Sequence, residues 1–217
     1  MKVRDRMTAT IITMGPDNTV MDAVNLMKKH NIRRVPVIDR GRLSAMVTRS
    51  NLYRAMPVTK NSEGSPILNE QWALRTKIRD VIPPSQELIT ISPDAAIEQG
   101  AAILREQKVG GLPVVDENGK LIGMLSVIDI LGAFLDMFGV NKEGTTIRCA
   151  VDDNLRFIQQ TARILDQEKT PLEHIVTIDA HSKGKLISFR IPSDGARRVV
   201  DELKEVGYEI DSITVKG

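Results

Sequence analysis

The sequence has few of the features that mark secreted or membrane proteins. Its single cysteine, Cys149, excludes an internal disulfide framework and fits a reducing compartment. The first six residues contain no apolar signal-peptide core, and the most apolar stretch, residues 121–138, is interrupted by Asp129 and Asp136. We therefore expect a cytoplasmic protein without a membrane-spanning helix.

A strong net charge is also lacking. The 217 residues include 30 basic and 28 acidic side chains, a formal net charge of +2, and the two signs are interspersed along the chain. Such a balance produces no long-range field toward nucleic-acid backbones or anionic lipid surfaces. The sequence therefore predicts neither a nucleic acid nor a membrane as a partner.

Catalytic and metal-binding motifs are missing as well. The histidines are scattered and have no metal-ligand spacing: His30, His174 and His181. The pair Gly184-Lys185 lacks the upstream glycine of a phosphate-binding loop, and Gly110-Gly111 precedes a predicted strand rather than a helix. Cys149 is expected to point into a core. The sequence thus favours a protein without catalytic activity, required cofactor or metal.

What the sequence does contain is an internal duplication within its first 140 or so residues. Five residues recur 77 positions later and three more recur 78 positions later, which one inserted residue explains. The pairs are Pro16 and Pro93, Asp17 and Asp94, Pro36 and Pro113, Val37 and Val114, Asp39 and Asp116, Gly41 and Gly119, Leu43 and Leu121, and Met46 and Met124. Because two copies are too few for a solenoid, we expect a pair packed about an approximate two-fold axis, with a functional crevice between the copies.

Each copy predicts the order strand, helix, strand, strand, helix. Helical spacing of apolar residues begins at Val20 and at Ile97. Asp17 and Asp94 are expected beside these helix starts, where carboxylates accept hydrogen bonds from free backbone N–H groups. Hairpin strands are then predicted at residues 35–38, 43–47, 112–115 and 121–125.

The stretch between the copies has its own pattern. Residues 57–69 are rich in Pro, Ser, Asn and Gly and are predicted to form a loop. Residues 70–76 are predicted to form a short helix carrying Trp72, the sole tryptophan. We expect this large ring to pack one copy against the other.

At the end of the second hairpin strand, each copy places a hydroxyl residue three positions before an amide or a carboxylate. The pairs are Thr48 with Asn51 and Ser126 with Asp129. One interpretation is structural, because the hydroxyl and its partner can cap a helix. The other is functional, because the hydroxyl and the helix start can bind a phosphate while the Asp or Asn accepts from ribose hydroxyls. Both interpretations stay open.

The duplicated pattern resembles a tandem pair of CBS (cystathionine-β-synthase-type) domains, a Bateman module. It reads apolar-Pro-Val-apolar-Asp, a glycine turn, and then Thr/Ser-x-x-Asp/Asn. Such modules commonly bind adenosyl nucleotides between the copies, so the resemblance implies AMP, ADP, ATP or S-adenosylmethionine as a regulatory ligand. The implied site residues are Ser126 and Asp129 for phosphate and ribose, Thr48 and Asn51 as their equivalents, Ile32 and Val109 beside the adenine, and Ser92 at a helix start.

The two copies differ where phosphate contacts are expected. Arg33 and Arg34 stand where related modules place basic side chains, whereas the second copy has Gly110 and Gly111. This pair either binds an anion or is a solvated surface pair. Asn51 replaces the usual Asp, so the first half-site is expected to bind ribose less strongly, by about 1 kcal/mol, or to prefer another ligand. The sequence alone does not assign the arginines to one pocket.

The last segment, residues 144–217, is a different unit. Alternating and helical spacings predict the order βαββαβ, a ferredoxin-like arrangement. Together with an acidic turn, this order resembles the ACT domain, a small regulatory module that often pairs across a dimer and binds amino acids. The turn reads Asp152-Asp153-Asn154-Leu155-Arg156, whereas amino-acid-binding relatives typically have glycine there. We therefore favour a dimerisation or interaction unit over an amino-acid sensor.

Two CBS units followed by an ACT-like unit resemble the bacterial acetoin-utilisation accessory proteins. We expect a mixed α/β (α+β) fold with CBS repeats at residues 1–58 and 78–140, a linker with a short helix at 59–77, and the ACT-like unit at 144–217. The predicted function is that of a homodimeric regulator whose nucleotide cleft signals to the C-terminal unit and to a regulated enzyme or protein partner. The alternatives are amino-acid sensing on a structural CBS platform and a ligand-independent scaffold.

Overall fold

The computed structural model describes residues 1–57, 59–60, 66–67, 69–83, 86–180 and 184–216. The chain divides into two units, Met1–Ile130 and Leu131–Gly217. Much of the predicted loop at residues 57–69 lies outside the described residues, and so does His181.

The predicted helices and hairpin strands are present in the predicted order, but the first strand of each copy is not, and two short strands pair within the predicted loop at residues 57–69. The α-helices are α1 (Val20–Lys29), α2 (Arg49–Ala55), α3 (Glu70–Arg75), α4 (Ile78–Val81), α5 (Ile97–Glu106), α6 (Val127–Met137), α7 (Asn154–Gln167) and α8 (Ala196–Glu205). The strands are β1 (Arg34–Asp39), β2 (Arg42–Thr48), β3 (Thr59–Lys60), β4 (Pro66–Ile67), β5 (Gly111–Val115), β6 (Leu121–Ser126), β7 (Gly144–Val151), β8 (His174–Ala180), β9 (Gly184–Ile191) and β10 (Glu209–Lys216). A 3-10 turn, Val3–Asp5, precedes them.

The two copies form matching antiparallel hairpins, β1 with β2 and β5 with β6. Each hairpin has one register shift, between Val37 and Ile38 in the first copy and between Val114 and Val115 in the second. Since these positions correspond in the duplicated sequence, the duplication reproduces even this irregularity of the sheet.

The predicted first strand of each copy is reduced to a single pairing. Met14 forms one parallel bridge with Val37, and Ile91 forms the equivalent bridge with Val114. A proline follows two residues later in both copies, and proline has no backbone N–H with which to continue a ladder. The prediction of a strand before the first helix of each copy was therefore wrong beyond this single bridge.

The first residues of each copy pack with the other copy, so that the two starting segments are exchanged. The 3-10 turn at the N-terminus bonds to the second copy, where the Val3 N–H donates to the Ala95 carbonyl at 2.9 Å. Helix α4, at the start of the second copy, bonds to the first, where the Ile78 N–H donates to the Asn18 carbonyl at 2.8 Å. Each copy is therefore completed by a segment that the other provides.

The exchange also corrects the expected role of Asp17 and Asp94. Both carboxylates form ion pairs with the exchanged segments: Asp17 with Lys77 and Arg79, and Asp94 with Lys2 and Arg4. In each case the hydrogen bond from the lysine is the main cause that lowers the pKa of the carboxyl. Helix α1 is instead capped by Thr19, whose hydroxyl accepts from the Asp22 N–H at 3.1 Å.

Trp72 is partly buried against the hydrophobic core of the first copy. That core includes Ile78 of the exchanged segment, and Val81 and Ile82 pack against it. The expected role of Trp72 in packing one copy against the other stays a prediction.

A side-chain amide replaces a strand pairing in the first copy. In the second copy, the backbone of Thr8 pairs with Met124, with N–H to carbonyl distances of 2.9 and 3.0 Å. At the equivalent position of the first copy, the Met46 N–H donates to Gln86 Oε1 at 2.9 Å, and Gln86 Nε2 donates to the Met46 carbonyl at 2.9 Å. The amide of Gln86 thus occupies the place of a backbone peptide beside β2.

We expect Gln86→Leu to lower the free energy of unfolding by about 2 kcal/mol, because it leaves two partly buried backbone groups of Met46 without partners. Chemical denaturation followed by circular dichroism measures the change. Gln99→Leu, at an exposed position of α5, is the matched control and is expected to change stability by less than about 0.5 kcal/mol. If Gln86→Leu were as stable as the parent protein, water would suffice to replace the amide.

The C-terminal unit is a four-stranded antiparallel sheet with two helices. The sheet order is β10-β7-β9-β8, and the element order βαββαβ agrees with the predicted one. Side chains of the sheet and of α7 and α8 form its core, in which the Phe157 and Phe189 rings lie 6.2 Å apart between centroids. Cys149 is fully buried in this core, as expected.

Candidate functional site

A crevice lies between the two copies, as the duplication predicts. It has a volume of about 640 Å³ and is lined by Ile32, Arg33 and Arg34 from the first copy and by Ser126 and Asp129 from the second. We call it the Asp129 cleft. It brings together five of the predicted site residues.

Ser126 and Asp129 are fixed to each other in the lining of this cleft. Asp129 Oδ2 accepts from both the hydroxyl and the N–H of Ser126 at 2.7 Å, and the hydroxyl accepts from the Asp129 N–H at 3.3 Å. This arrangement is the helix cap of the structural interpretation, at the start of α6. Asp129 Oδ1 has no hydrogen-bond partner among the described residues. The capped carboxylate therefore still has an acceptor to offer a ligand.

A second cleft surrounds the equivalent residues of the first copy. It has a volume of about 790 Å³ and is lined by Thr48, Asn51, Val109, Arg33 and Arg34, among others. We call it the Asn51 cleft. The Thr48 N–H donates to Asn51 Oδ1 at 3.0 Å and the Thr48 hydroxyl accepts from the Asn51 N–H at 3.1 Å, so the same cap recurs at the start of α2.

Arg33 and Arg34 line both clefts, so the arginines belong to neither half-site alone. The side chain of Arg34 lies against Gly110 and Gly111, the residues that replace the arginines in the second copy. A Cβ atom on Gly110 would lie 3.2 Å from Arg34 Cζ, and one on Gly111 would lie 3.3 Å from Arg34 Cδ. The glycines of one copy therefore provide the space that the arginine of the other occupies.

Arg34 is a partly buried cation. Burial is the main cause that lowers the pKa of its guanidinium, and the positive charge of Arg33 lowers it further. An arginine nevertheless stays protonated at neutral pH. No carboxylate pairs with Arg34 within the described part of the chain. A partly desolvated cation without a counter-charge favours the approach of an anion.

The predicted and observed linings differ at several positions. Ser92 lines neither cleft; it is exposed, and its hydroxyl accepts from the Asp94 N–H at 3.2 Å. The structure therefore does not bring Ser92 together with the other predicted site residues, and a contact of Ser92 with a ligand stays a prediction. Sequence reasoning also missed three cations that line the Asn51 cleft: Arg49, Arg54 and Lys108. The offset of 77 residues places Lys108 opposite Asn31, which lines the Asp129 cleft, so the duplicated pattern could have located it.

The thiol of Cys149 is not in a reactive state. Burial raises the pKa of the Cys149 thiol to about 12, helped by the negative charge of Asp211, so the thiol is protonated at neutral pH. In the part of the chain that the structure describes, no three or more His, Cys, Asp or Glu side chains are grouped as metal ligands would be. None of the described helices combines the length and the apolarity that crossing a bilayer requires.

Comparison with known families identifies the duplicated unit. A family model described as the CBS domain matches residues 3–58 and 78–136, which are the two copies. The chain belongs to the CBS-domain family. Among its curated relatives, the CBS domain-containing protein YhcV of Bacillus subtilis (strain 168) is 28% identical over 128 residues, which cover 59% of this chain and 81% of the relative. Two further curated relatives are longer, and the chain spans 36% and 43% of their lengths.

Solved structures of CBS pairs share the fold of the N-terminal unit. CBSX2 from Arabidopsis thaliana, solved in complex with AMP, is 29% identical with a TM-score of 0.50, covering 62% of this chain and 96% of that one. A Vibrio cholerae protein assigned to acetoin utilization (AcuB) is 25% identical with a TM-score of 0.52, covering 65% of this chain and 96% of that one.

Proposed function

We propose that this CBS pair binds an adenosine nucleotide in the Asp129 cleft and acts as a regulatory sensor without catalytic activity. One observation carries the proposal: a single cleft is lined by a cation without a counter-charge among the described residues, Arg34, and by a carboxylate with an unused acceptor, Asp129. A nucleotide presents the complementary groups, an anionic phosphate and a pair of ribose hydroxyls. The AMP complex of the related CBSX2 supports this choice of ligand.

The proposed binding mode matches groups of the Asp129 cleft to the ribose, the phosphate and the adenine. The ribose hydroxyls donate to Asp129 Oδ1, and the phosphate accepts from Arg33 and Arg34 and from the first N–H groups of α6, where the helix dipole favours an anion. Ile32 and Ile128 supply apolar surface for the adenine. AMP, ADP, ATP and S-adenosylmethionine all contain adenosine and are the candidate ligands. In the Asn51 cleft, Thr48, Asn51 and Val109 are the equivalent residues.

We propose that α6 carries the signal to the C-terminal unit. The helix begins directly after Ser126 and ends at Met137, and the first strand of the C-terminal sheet begins at Gly144. Regulation of this kind requires the ligand to bind one arrangement of the protein more tightly than another. The βαββαβ order and the antiparallel sheet of this unit support an ACT-like module.

A homodimer that regulates an enzyme or another protein is the proposed working form. Large exposed apolar side chains outside the two clefts support self-association, with Leu74 58% exposed in the first unit and Leu155 and Val215 each 66% exposed in the second. The likeness to the Vibrio cholerae AcuB protein supports a role in acetoin or related carbon metabolism. Light scattering measures the oligomeric state.

Amino-acid sensing by the C-terminal unit is the alternative function. Its acidic turn is used within the fold, because the Asp153 carboxylate accepts from the Leu155 N–H at 2.9 Å and from the Arg156 N–H at 3.1 Å, and so caps α7. This internal use favours the nucleotide as ligand. A ligand-independent scaffold is the third possibility.

A thermal-shift screen of the full chain tests the proposal. A ligand present at 100 times its Kd is expected to stabilise the folded protein by about 2.7 kcal/mol, which raises Tm by several degrees. We expect this rise with at least one of AMP, ADP, ATP and S-adenosylmethionine, and a smaller one with GMP as the control for the adenine base. Stabilisation by amino acids alone would support the alternative, and no shift with either set would support the scaffold.

A further inference from the structure

The two clefts differ in charge. Three basic residues line the Asn51 cleft in addition to the shared Arg33 and Arg34: Arg49, Arg54 and Lys108. Among the described residues, no acidic residue lines this cleft, whereas the Asp129 cleft has no basic residue beyond the shared pair and contains the Asp129 carboxylate. Of the described side chains, five basic ones and no acid therefore line one cleft, and two basic ones and an acid line the other.

The contrast comes from a short stretch that the copies do not share. Residues 49–51 read Arg-Ser-Asn, and the corresponding residues 127–129 read Val-Ile-Asp. The second copy thus presents an apolar surface and a carboxylate where the first presents a cation and an amide. These differences alter the kind of ligand that fits, while the fold around them is the same.

The amide of Asn51 adds to the contrast. Its oxygen accepts from the Thr48 hydroxyl at 2.5 Å and from the Thr48 N–H at 3.0 Å. The group left for a ligand is therefore the NH₂, which donates, whereas Asp129 offers an oxygen, which accepts. A donor suits phosphate oxygens, and an acceptor suits ribose hydroxyls.

We infer that the Asn51 cleft binds a polyphosphate chain, the diphosphate or triphosphate end of a nucleoside polyphosphate, whereas the Asp129 cleft holds its nucleotide through the ribose. The inference rests on the proposed function, because it names the ligand class of the second half-site. Each added phosphate brings negative charge and further acceptor oxygens, so five cations discriminate in favour of ADP and ATP over AMP. Since most of these cations are exposed, raising the salt concentration weakens this binding.

Inorganic tripolyphosphate is the probe, because it carries the charges of the chain without ribose or base. Isothermal titration of the full chain with tripolyphosphate, ATP and AMP is compared between the parent protein and the double variant Arg54→Gln/Lys108→Gln. Both positions line the Asn51 cleft and not the Asp129 cleft. The control Lys29→Gln/Arg105→Gln removes the same charge from exposed positions on α1 and α5.

We expect the double variant to bind tripolyphosphate about tenfold more weakly, as loss of two exposed charge contacts would produce, while the control binds as the parent does. AMP binding in the Asp129 cleft is expected to stay within twofold in both. If the double variant binds both ATP and tripolyphosphate more weakly, the ligand of the Asn51 cleft is a nucleoside polyphosphate. If it binds only tripolyphosphate more weakly, the ligand is an inorganic polyphosphate chain, and the nucleoside part of the inference is overturned.

Two results would overturn the whole inference. In the first, the double variant and the control bind tripolyphosphate equally well. In the second, the parent protein binds AMP but does not bind tripolyphosphate. In the second case the proposed function stands. If tripolyphosphate binding is lost in the double variant but AMP never binds, the proposed nucleotide site in the Asp129 cleft fails while the polyphosphate site remains.

Discussion

Asp129→Ala is expected to bind AMP about thirtyfold more weakly than the parent protein, or worse. The carboxylate is the proposed acceptor for the ribose hydroxyls, and hydrogen bonds to a charged group contribute about 1.5 to 3 kcal/mol. A loss of about 2 kcal/mol corresponds to that change in Kd. Isothermal titration of the full chain measures it directly.

The variant also removes half of a helix cap, which costs about 1 kcal/mol of stability. Asp129→Asn separates the two effects, because the amide oxygen can still accept from Ser126 while the negative charge is lost. We expect Asp129→Asn to be as stable as the parent and to bind AMP about fivefold to tenfold more weakly. Asn51→Ala, at the equivalent position of the other cleft, is the matched control and should leave this AMP site within twofold. Unchanged AMP affinity in Asp129→Ala would exclude the carboxylate as the ribose acceptor.

Gly144→Val is expected to destabilise the C-terminal unit by about 3 kcal/mol without loss of AMP binding. Gly144 has a φ of +137°, a backbone conformation that valine rarely adopts. A Cβ at this position would lie 2.8 Å from the backbone carbonyl oxygen of Ile191, which belongs to the neighbouring strand β9 and cannot rotate away. Both the backbone strain and the steric overlap are expected to weaken the pairing of β7 with β9.

Hydrogen exchange measures this effect locally. The amides of β7 and β9 should exchange faster in Gly144→Val, while those of β5 and β6 and the affinity for AMP stay as in the parent. Gly132→Val is the control, because a Cβ on Gly132 meets no atom within 4 Å and its φ is not in the left-handed region. If Gly144→Val lost both AMP binding and the protection of the C-terminal sheet, the two units would instead unfold together as one cooperative unit.

Most helices and strands could be predicted because a buried face imposes its spacing on the sequence itself. The helix that begins at Val20 and the hairpins of both copies follow this rule. The partners of Asp17 and Asp94 could not be predicted in the same way. They lie 60 and 92 positions away along the chain, at distances where local spacing carries no information. From local sequence, a carboxylate beside a proline is equally compatible with a helix cap and with a distant ion pair.

The candidate site was predictable in composition but not in arrangement. The duplication indicated a crevice, and the caps formed by Thr48 and Ser126 follow from their spacing to Asn51 and Asp129. Arg33 and Arg34 line two clefts because of the direction that the Arg34 side chain takes. The spacing of residues in the sequence does not predict that direction. Binding of a nucleotide by these residues stays a prediction.

The exchanged start segments mean that neither CBS copy is a self-sufficient folding module. A polypeptide cut at residue 76 would give a first half without α4, whose Ile78 N–H donates to the Asn18 carbonyl just before α1. The second half would lack Met1, whose carbonyl accepts from the first N–H of α5. Gene fusions, insertions and transfers that carry this CBS pair into another protein must therefore move both copies together.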